Sequence, residues 1–366
     1  MENSYLIGLS EKLIPTPALV LDAEVFEKNM KTMMDYLAKT GVNLRPHIKT
    51  HKTPMIAHQQ MKNGAIGLCC ATIGEAEVMV NSGLDHILIA NEVIGEDKIR
   101  RFVSLARYAD VMVAVDNAKN LADLSSAAAA INVSVGVLIE VDVGMGRCGV
   151  RTIEDAVELA KKAKEVKGIN FRGVMGYEGH AVFILDKEER VKAGRTANSK
   201  LVAAAEAIRK VGIPVEIVSG AGTGTFNIAG AGEFPGMTEI QAGSYIFMDL
   251  TYEKVGLPFE QALFVLASVV SCPDDETVIL DSGMKAISIE RECPRVVEYE
   301  NLEILKLAEE HAKGHLKSKA PSPKPNDKLH LVMSHCCTTM NLHNKLYVVR
   351  NGIVEAIWPI AARGAY

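Results

Sequence analysis

Strand-like and helix-like patterns alternate along most of the chain. Short runs of consecutive apolar, largely β-branched residues recur at 42–47, 66–71, 86–90, 111–115, 133–141, 169–175, 215–218 and 238–247. Between them lie stretches with helical spacing, at 53–62, 73–82, 96–108, 117–130, 153–166 and 187–211. Ahead of this series, 16–22 reads as a strand and 22–38 as a helix, with Phe26, Met30, Met33 and Leu37 on one face. Eight strands alternating with helices predict an α/β fold, a (β/α)8 TIM-type barrel over 16–250; an open doubly wound sheet is the competing arrangement. From about Thr251 the crossover helices stop. The runs 263–271, 276–281, 329–334, 345–350 and 353–360 predict a mostly antiparallel β domain over 251–366, with residues 1–15 packing against it. Asn351-Gly352 between two apolar runs is a hairpin signal.

Composition narrows the functional classes. The 366 residues are 48% hydrophobic and carry a net charge of −5, so a large core is available and nucleic acid is not an expected partner. Uninterrupted apolar stretches fall short of the roughly 18 residues a membrane span needs, and the first residues lack the basic-then-apolar pattern of a secretion leader. Seven cysteines, an odd number without ladder spacing, fit a reducing, cytoplasmic setting. The basic, proline-rich stretch 311–328 reads as a mobile surface loop.

The chemistry concentrates where strands end. Arg45-Pro46-His47-Ile48-Lys49-Thr50-His51-Lys52 crowds cations at the close of the first barrel strand, and Pro46 stiffens it. Crowded cations favour a neutral, nucleophilic amine over a solvated basic loop. Arg147 follows the fifth strand and Tyr177 the sixth. Ser219-Gly-Ala-Gly-Thr-Gly-Thr225 follows the seventh, where barrels hold phosphate, and its glycines let backbone N–H groups approach an anion. In the second domain His335 and Cys337 stand two apart and share a face if the segment is a strand, with Cys336 on the other side. Thiolate plus imidazole favours zinc over manganese or magnesium.

Arg-Pro-His-x-Lys-Thr-His-Lys resembles the cofactor-lysine motif of the D-threonine aldolase and D-serine dehydratase family, pyridoxal-phosphate enzymes of the alanine-racemase-like fold. Asp142-x-Gly-x-x-Arg147-x-Gly-Val, Gly176-Tyr-Glu-Gly-His180, the glycine loop, the His335-x-Cys337 pair and the tail Trp358-Pro-Ile-Ala-Ala-Arg-Gly364 extend the resemblance over nearly the whole chain. It implies that Lys49 forms the Schiff base with pyridoxal 5'-phosphate and that Gly222 and Thr223 cradle the phosphate, with Tyr245 near it. It implies Arg147 at the cofactor's phenolic oxygen and Tyr177 facing the pyridine nitrogen. Thr72 is a further cofactor contact, with Glu75 a helix-start charge and His51 and His180 candidate proton carriers. The pair His335 and Cys337 is implied to bind a divalent ion that engages the substrate's β-hydroxyl.

The implied activity is a lyase acting on small β-hydroxy-D-amino acids. The cysteine at the second metal position favours a dehydratase of D-serine or D-threo-3-hydroxyaspartate, with an aldolase as the alternative. A racemase or a non-enzymatic cofactor carrier leaves the metal pair unexplained. Members of the fold are often dimers, so a homodimer is expected.

Overall fold

The computed structural model describes residues 3–229, 236–318 and 321–366. It divides into two compact units, one of residues 1–32, 50–53 and 244–364, the other of 33–49, 54–243 and 365–366. The second unit is the barrel. Apart from β1 (Ala18–Asp22), which belongs elsewhere, the first eight parallel strands are β2 (Asn43–Leu44), β3 (Leu68–Cys70), β4 (Ile87–Glu92), β5 (Val111–Val115), β6 (Val135–Glu140), β7 (Ile169–Gly176), β8 (Ile217–Gly220) and β9 (Glu239–Ile240). Their order is β2-β9-β8-β7-β6-β5-β4-β3, and a parallel bridge between His47 and Cys69 joins the two edges, so the sheet closes. Closure explains the sequence pattern. Strands covered on both faces read as apolar runs, as in the wholly buried β5 and β6. Cys69, Leu88, Met112, Ala114, Leu138, Met175 and Ile217 fill the interior.

The crossover helices start on local signals. Thr72 accepts from the Glu75 N–H, Asn117 from Asn120, Thr152 from Asp155 and Asp186 from Glu189. Each satisfies a first-turn donor that the helix itself leaves unpaired. The doubly wound alternative is set aside by the closing bridge.

A buried ion pair pins the seam. The Arg45 Nε and Nη2 donate to the two Glu239 carboxylate oxygens at 2.8 and 3.0 Å, and Nη1 donates to the His86 carbonyl at 2.6 Å. Both side chains are almost fully buried, at 5% and 1% exposure. Gly67 makes room, since a Cβ there would stand 2.1 Å from Arg45 Nη1. Arg45 is therefore a structural member of the basic cluster. Arg45→Met is expected to lower stability by about 3–5 kcal/mol, because it strands the Glu239 carboxylate in the wall. The double change Arg45→Met with Glu239→Leu is expected to recover much of that loss. Denaturant midpoints check both, and a neutral single variant would contradict the assignment.

The other unit is built on a nine-stranded sheet. Its later strands are β10 (Leu263–Ser271), β11 (Thr277–Leu280), β12 (Arg295–Val296), β13 (Leu302–Leu307), β14 (Ala312–Leu316), β15 (Lys328–Val332), β16 (Lys345–Arg350) and β17 (Ile353–Pro359). Here β1 corrects the expected boundary at 16–250. It pairs antiparallel with β10 and parallel with β16, so the chain's start belongs to this unit, as do residues 244–250. The predicted hairpin joins β16 to β17, with Asn351 and Gly352 at φ 51° and 73°.

The stretch 311–328 is not simply a loop. Within it β14 pairs with β11 and β13, its inward positions being the small or apolar Ala312, Gly314 and Leu316. Residues 319 and 320 of that stretch lie outside the described residues. Among the described residues no helix is long and apolar enough to cross a membrane, and none of the seven cysteines forms a disulfide.

Candidate active site

On the barrel, Tyr177 is the point where distant segments converge. It follows β7, and its ring centre lies 5.9 Å from Lys49 Nζ and 5.8 Å from Arg147 Cζ. Lys49 is held in the one-turn segment Ile48–Thr50 that follows β2. Gly222, after β8, backs onto the same ring, for a Cβ there would stand 3.1 Å from Tyr177 Cε2. Both groups lie within the roughly 6 Å at which a cation gains modestly from a ring's quadrupole.

The glycine loop is preshaped. The Gly222 N–H donates to Thr225 Oγ1 at 3.1 Å, and the Thr225 N–H returns to the Gly222 carbonyl at 3.2 Å. A Cβ on Gly224 would meet the Val182 carbonyl oxygen at 2.0 Å, so only glycine permits this approach. Ala221 is held at φ 61°, and its N–H donates to Glu178 Oε2 at 3.1 Å. Glu178 is 1% exposed. Burial raises its carboxyl above the usual range against the hydrogen bonds of Thr225 and Ala221, while Oε1 has no donor. Sequence reading missed Glu178, although it sits beside Tyr177.

Arg147 stands at the end of a turn tied down by Asp142, whose Oδ1 accepts the Gly144 and Gly146 N–H groups at 3.0 Å each. Its Nη2 lies 3.7 Å from Glu140 Oε1. Thr72 has other engagements. Its hydroxyl donates to the Ala365 carbonyl at 2.8 Å and accepts from the Glu75 N–H at 3.2 Å. Glu75 is buried, its Oε2 accepting the Ala71 N–H at 2.6 Å. His180 is exposed, its ring 3.2 Å from where a Cβ on Gly144 would lie.

In the other unit the segment around His335 is not a strand, and this corrects the alternation argument. β15 ends at Val332; His335 has extended backbone as a helix N-cap, and Cys336–Met340 is helical. Asp249 causes the change. Its Oδ2 accepts the Cys336 N–H at 2.9 Å, capping the helix start, and lies 2.8 Å from His335 Nδ1. The ligand atoms of His335, Cys336 and Cys337 all lie within 4.8 Å of one another, so Cys336 does not face away. The Cys337 thiol donates to Thr50 Oγ1 at 3.3 Å and is 3.6 Å from Ser244 Oγ. Burial pulls the His335 imidazole down, but Cys337 and Asp249 hold it at about 11. Tyr245 lies in the 3-10 turn Ser244–Ile246, buried, 5.6 Å from the Phe259 ring. His51 is fully buried, with Nδ1 accepting the Thr53 N–H at 3.1 Å.

Both sites fit the groups expected of them. On the barrel, an amine, a guanidinium, a phenol and a glycine turn with no room for a Cβ suit a phosphate-bearing aldehyde cofactor. In the other unit an imidazole and a thiol suit a divalent ion, with Asp249 fixing the proton on Nδ1 so that Nε2 is the free donor. Asp249 carried no sequence signal beyond that of an ordinary N-cap aspartate, since its partners lie far along the chain. Asp249→Asn is expected to weaken metal affinity about 10- to 100-fold. Metal titration of the apoprotein measures this, and unchanged affinity would remove Asp249 from the centre.

A closed parallel barrel bearing this lysine, arginine, tyrosine and glycine turn defines a pyridoxal-phosphate enzyme with the alanine-racemase-like fold. Residues 21–251 match the alanine racemase N-terminal domain, and 262–349 match a putative serine dehydratase domain. The chain is 41% identical to a D-threonine aldolase of Arthrobacter sp, over 96% of this chain and 93% of that protein. It is 30% identical to the D-threo-3-hydroxyaspartate dehydratase of Delftia sp. (strain HT23), over 77% and 75%. The crystal structure of D-threonine aldolase from Filomicrobium marinum superposes with a TM-score of 0.95 at 36% identity, covering 98% of both chains. The chain belongs to the alanine racemase N-terminal domain family and, within it, to the pyridoxal-phosphate- and metal-dependent lyases that include D-threonine aldolases and the D-amino-acid dehydratases.

Proposed function

We propose that this protein is an aldolase that cleaves the Cα–Cβ bond of β-hydroxy-D-amino acids to glycine and an aldehyde. The observation that carries the reading is the 41% identity to a D-threonine aldolase over 96% of the chain, supported by the barrel and the His335–Cys337 pair. It departs from the dehydratase expected from Cys337. A metal acting as Lewis acid assists loss of hydroxide as well as it acidifies an alcohol, so the ligand type does not choose the reaction. The dehydratase remains the second reading, resting on Cys337 and the relative at 30% identity.

When bound, pyridoxal phosphate supplies an electron sink for the substrate's α-carbon and the metal polarises the β-hydroxyl. The chain's own groups do the rest. Lys49 Nζ is the amine that holds the cofactor's carbonyl carbon. Gly222 and Thr223 would bind its phosphate, aided by Tyr245, and Thr72 would be a further contact. Arg147 supplies a fixed positive charge at the phenolic oxygen. Tyr177 would offer its phenol to the ring nitrogen. His335 and Cys337 hold the ion, zinc in preference to manganese or magnesium.

The substrates are small D-amino acids and the working form is a homodimer in the cytoplasm; sedimentation tests the dimer. The reaction type is tested with one compound. Incubating the cofactor- and metal-loaded protein with D-threo-3-hydroxyaspartate is expected to give glycine and glyoxylate. Oxaloacetate and ammonia would replace the aldolase with the dehydratase.

A further inference from the structure

The barrel rim carries an acid pair that the scheme above leaves unused. Glu92 closes β4 and Glu140 closes β6, and their carboxyls lie within hydrogen-bonding reach of each other. Glu140 is 4% exposed. Glu92 Oε1 is buried with no donor reaching it. Two carboxylates in contact repel, the more so with Glu140 and one Glu92 oxygen out of water; one proton between them removes the repulsion and gives the unpaired oxygen a partner.

The groups around the pair are accounted for. Arg147 Nη2 stands 3.7 Å from Glu140 Oε1. Asp116, after β5, contributes a negative field, while its Oδ2 is engaged by the Gly149 N–H at 3.1 Å. The Cys148 thiol hydrogen-bonds Glu92 and is held up at about 11 by burial and then by Glu92, so it stays neutral. Asp142 is paired with Arg151. A pair holding one proton carries a single negative charge, which the Arg147 guanidinium matches.

We infer that Glu92 and Glu140 hold one proton between them and act as the positioning element for Arg147, setting its guanidinium against the Tyr177 ring with its charge balanced. The inference rests on the cofactor reading of the rim. Loss of the shared proton would put a second negative charge beside Arg147 and draw the guanidinium onto Glu140, away from a cofactor oxygen. Burial and then Glu92 raise the Glu140 carboxyl to about 8, which sets where the change falls.

The test is the visible spectrum of the pyridoxal-phosphate-loaded protein, recorded from about pH 6 to about pH 10, a range that spans the pair's titration. The wild type is expected to show a spectral step near pH 8. In Glu92→Gln the amide donates to Glu140 permanently, so the step is expected to vanish while the cofactor stays bound. In Glu140→Gln the step is expected to vanish and the cofactor to bind several-fold more weakly. A merely structural role would lower stability without moving the step. A coloured wild type with no step, or a step unchanged in both variants, overturns the inference. A wild type that takes up no cofactor overturns the site reading itself, and is seen before any variant is made. If one variant does not fold, the other, read against the wild type, carries the test.

Discussion

Replacing Lys49 with alanine is expected to give a folded protein that stays colourless with pyridoxal phosphate and turns over at least about a thousand-fold more slowly. The fold survives because Lys49 is only half-buried and the seam beside it is held by Arg45 and Glu239. Activity is lost because the lysine is the amine placed 5.9 Å from the Tyr177 ring that also carries Arg147 and backs onto Gly222. An amine at another position would not face that constellation. The measurement is visible absorbance after cofactor loading, with borohydride trapping and peptide mapping of the wild type. Retained colour in Lys49→Ala would transfer the assignment, with Lys52 the next lysine of the same motif to test. Lys52 has a left-handed backbone at φ 51° and is 8% exposed. Loss of colour through misfolding would show in the same sample as a lost far-ultraviolet signature.

Much of the barrel was legible because its strands are buried on both faces. Val111–Val115 has no polar position to interrupt it, and the strand begins and ends where the apolar run does. The helix starts were legible because Thr72, Thr152 and Asp186 announce them three residues ahead of the donors they cap. What could not be read depends on distant partners. β1 is an apolar strand like any barrel strand, and only its pairing with Leu263–Leu266 and Leu346–Val349 assigns it to the other sheet. β14 was hidden by Lys313 and His315, whose exposed or partly exposed side chains gave the stretch a basic, loop-like character. The helix at Cys336 starts because Asp249 caps it from another part of the chain.

The site divides the same way. Lys49, Arg147, Tyr177, Gly222 and Thr223 each lie after a barrel strand, so a correct fold placed them on one rim. Glu92, Glu140, Glu178 and Asp249 are carboxylates whose neighbours are set only by folding, and in sequence they look like any surface acid. The burial of Glu140, Glu178 and Asp249, and of one oxygen of Glu92, separates them from the many acids that take part only in exposed ion pairs, which contribute little.

Replacing His335 with alanine is expected to abolish metal binding and lower turnover by at least about a thousand-fold, while the cofactor's colour is retained. The argument starts from the ligand atoms. His335 engages Asp249 Oδ2 through Nδ1 at 2.8 Å, which would leave Nε2 to the ion, with Cys337 beside it as the thiol ligand. Without the imidazole the cluster of three ligand atoms falls to the two thiols of Cys336 and Cys337, fewer than the three protein ligands of a catalytic zinc site. Chelation of the wild type should reproduce the loss, and added zinc or manganese should restore the wild type but not the variant. Colour and activity would then separate the two proposed roles, Lys49 in holding the cofactor and His335 in the step at the β-hydroxyl. A racemase has no β-hydroxyl step, so it would keep its activity in His335→Ala and after chelation. Full activity in the variant would thus refute the lyase assignment together with the metal, whereas loss of activity with colour intact ties the chemistry to the β-carbon.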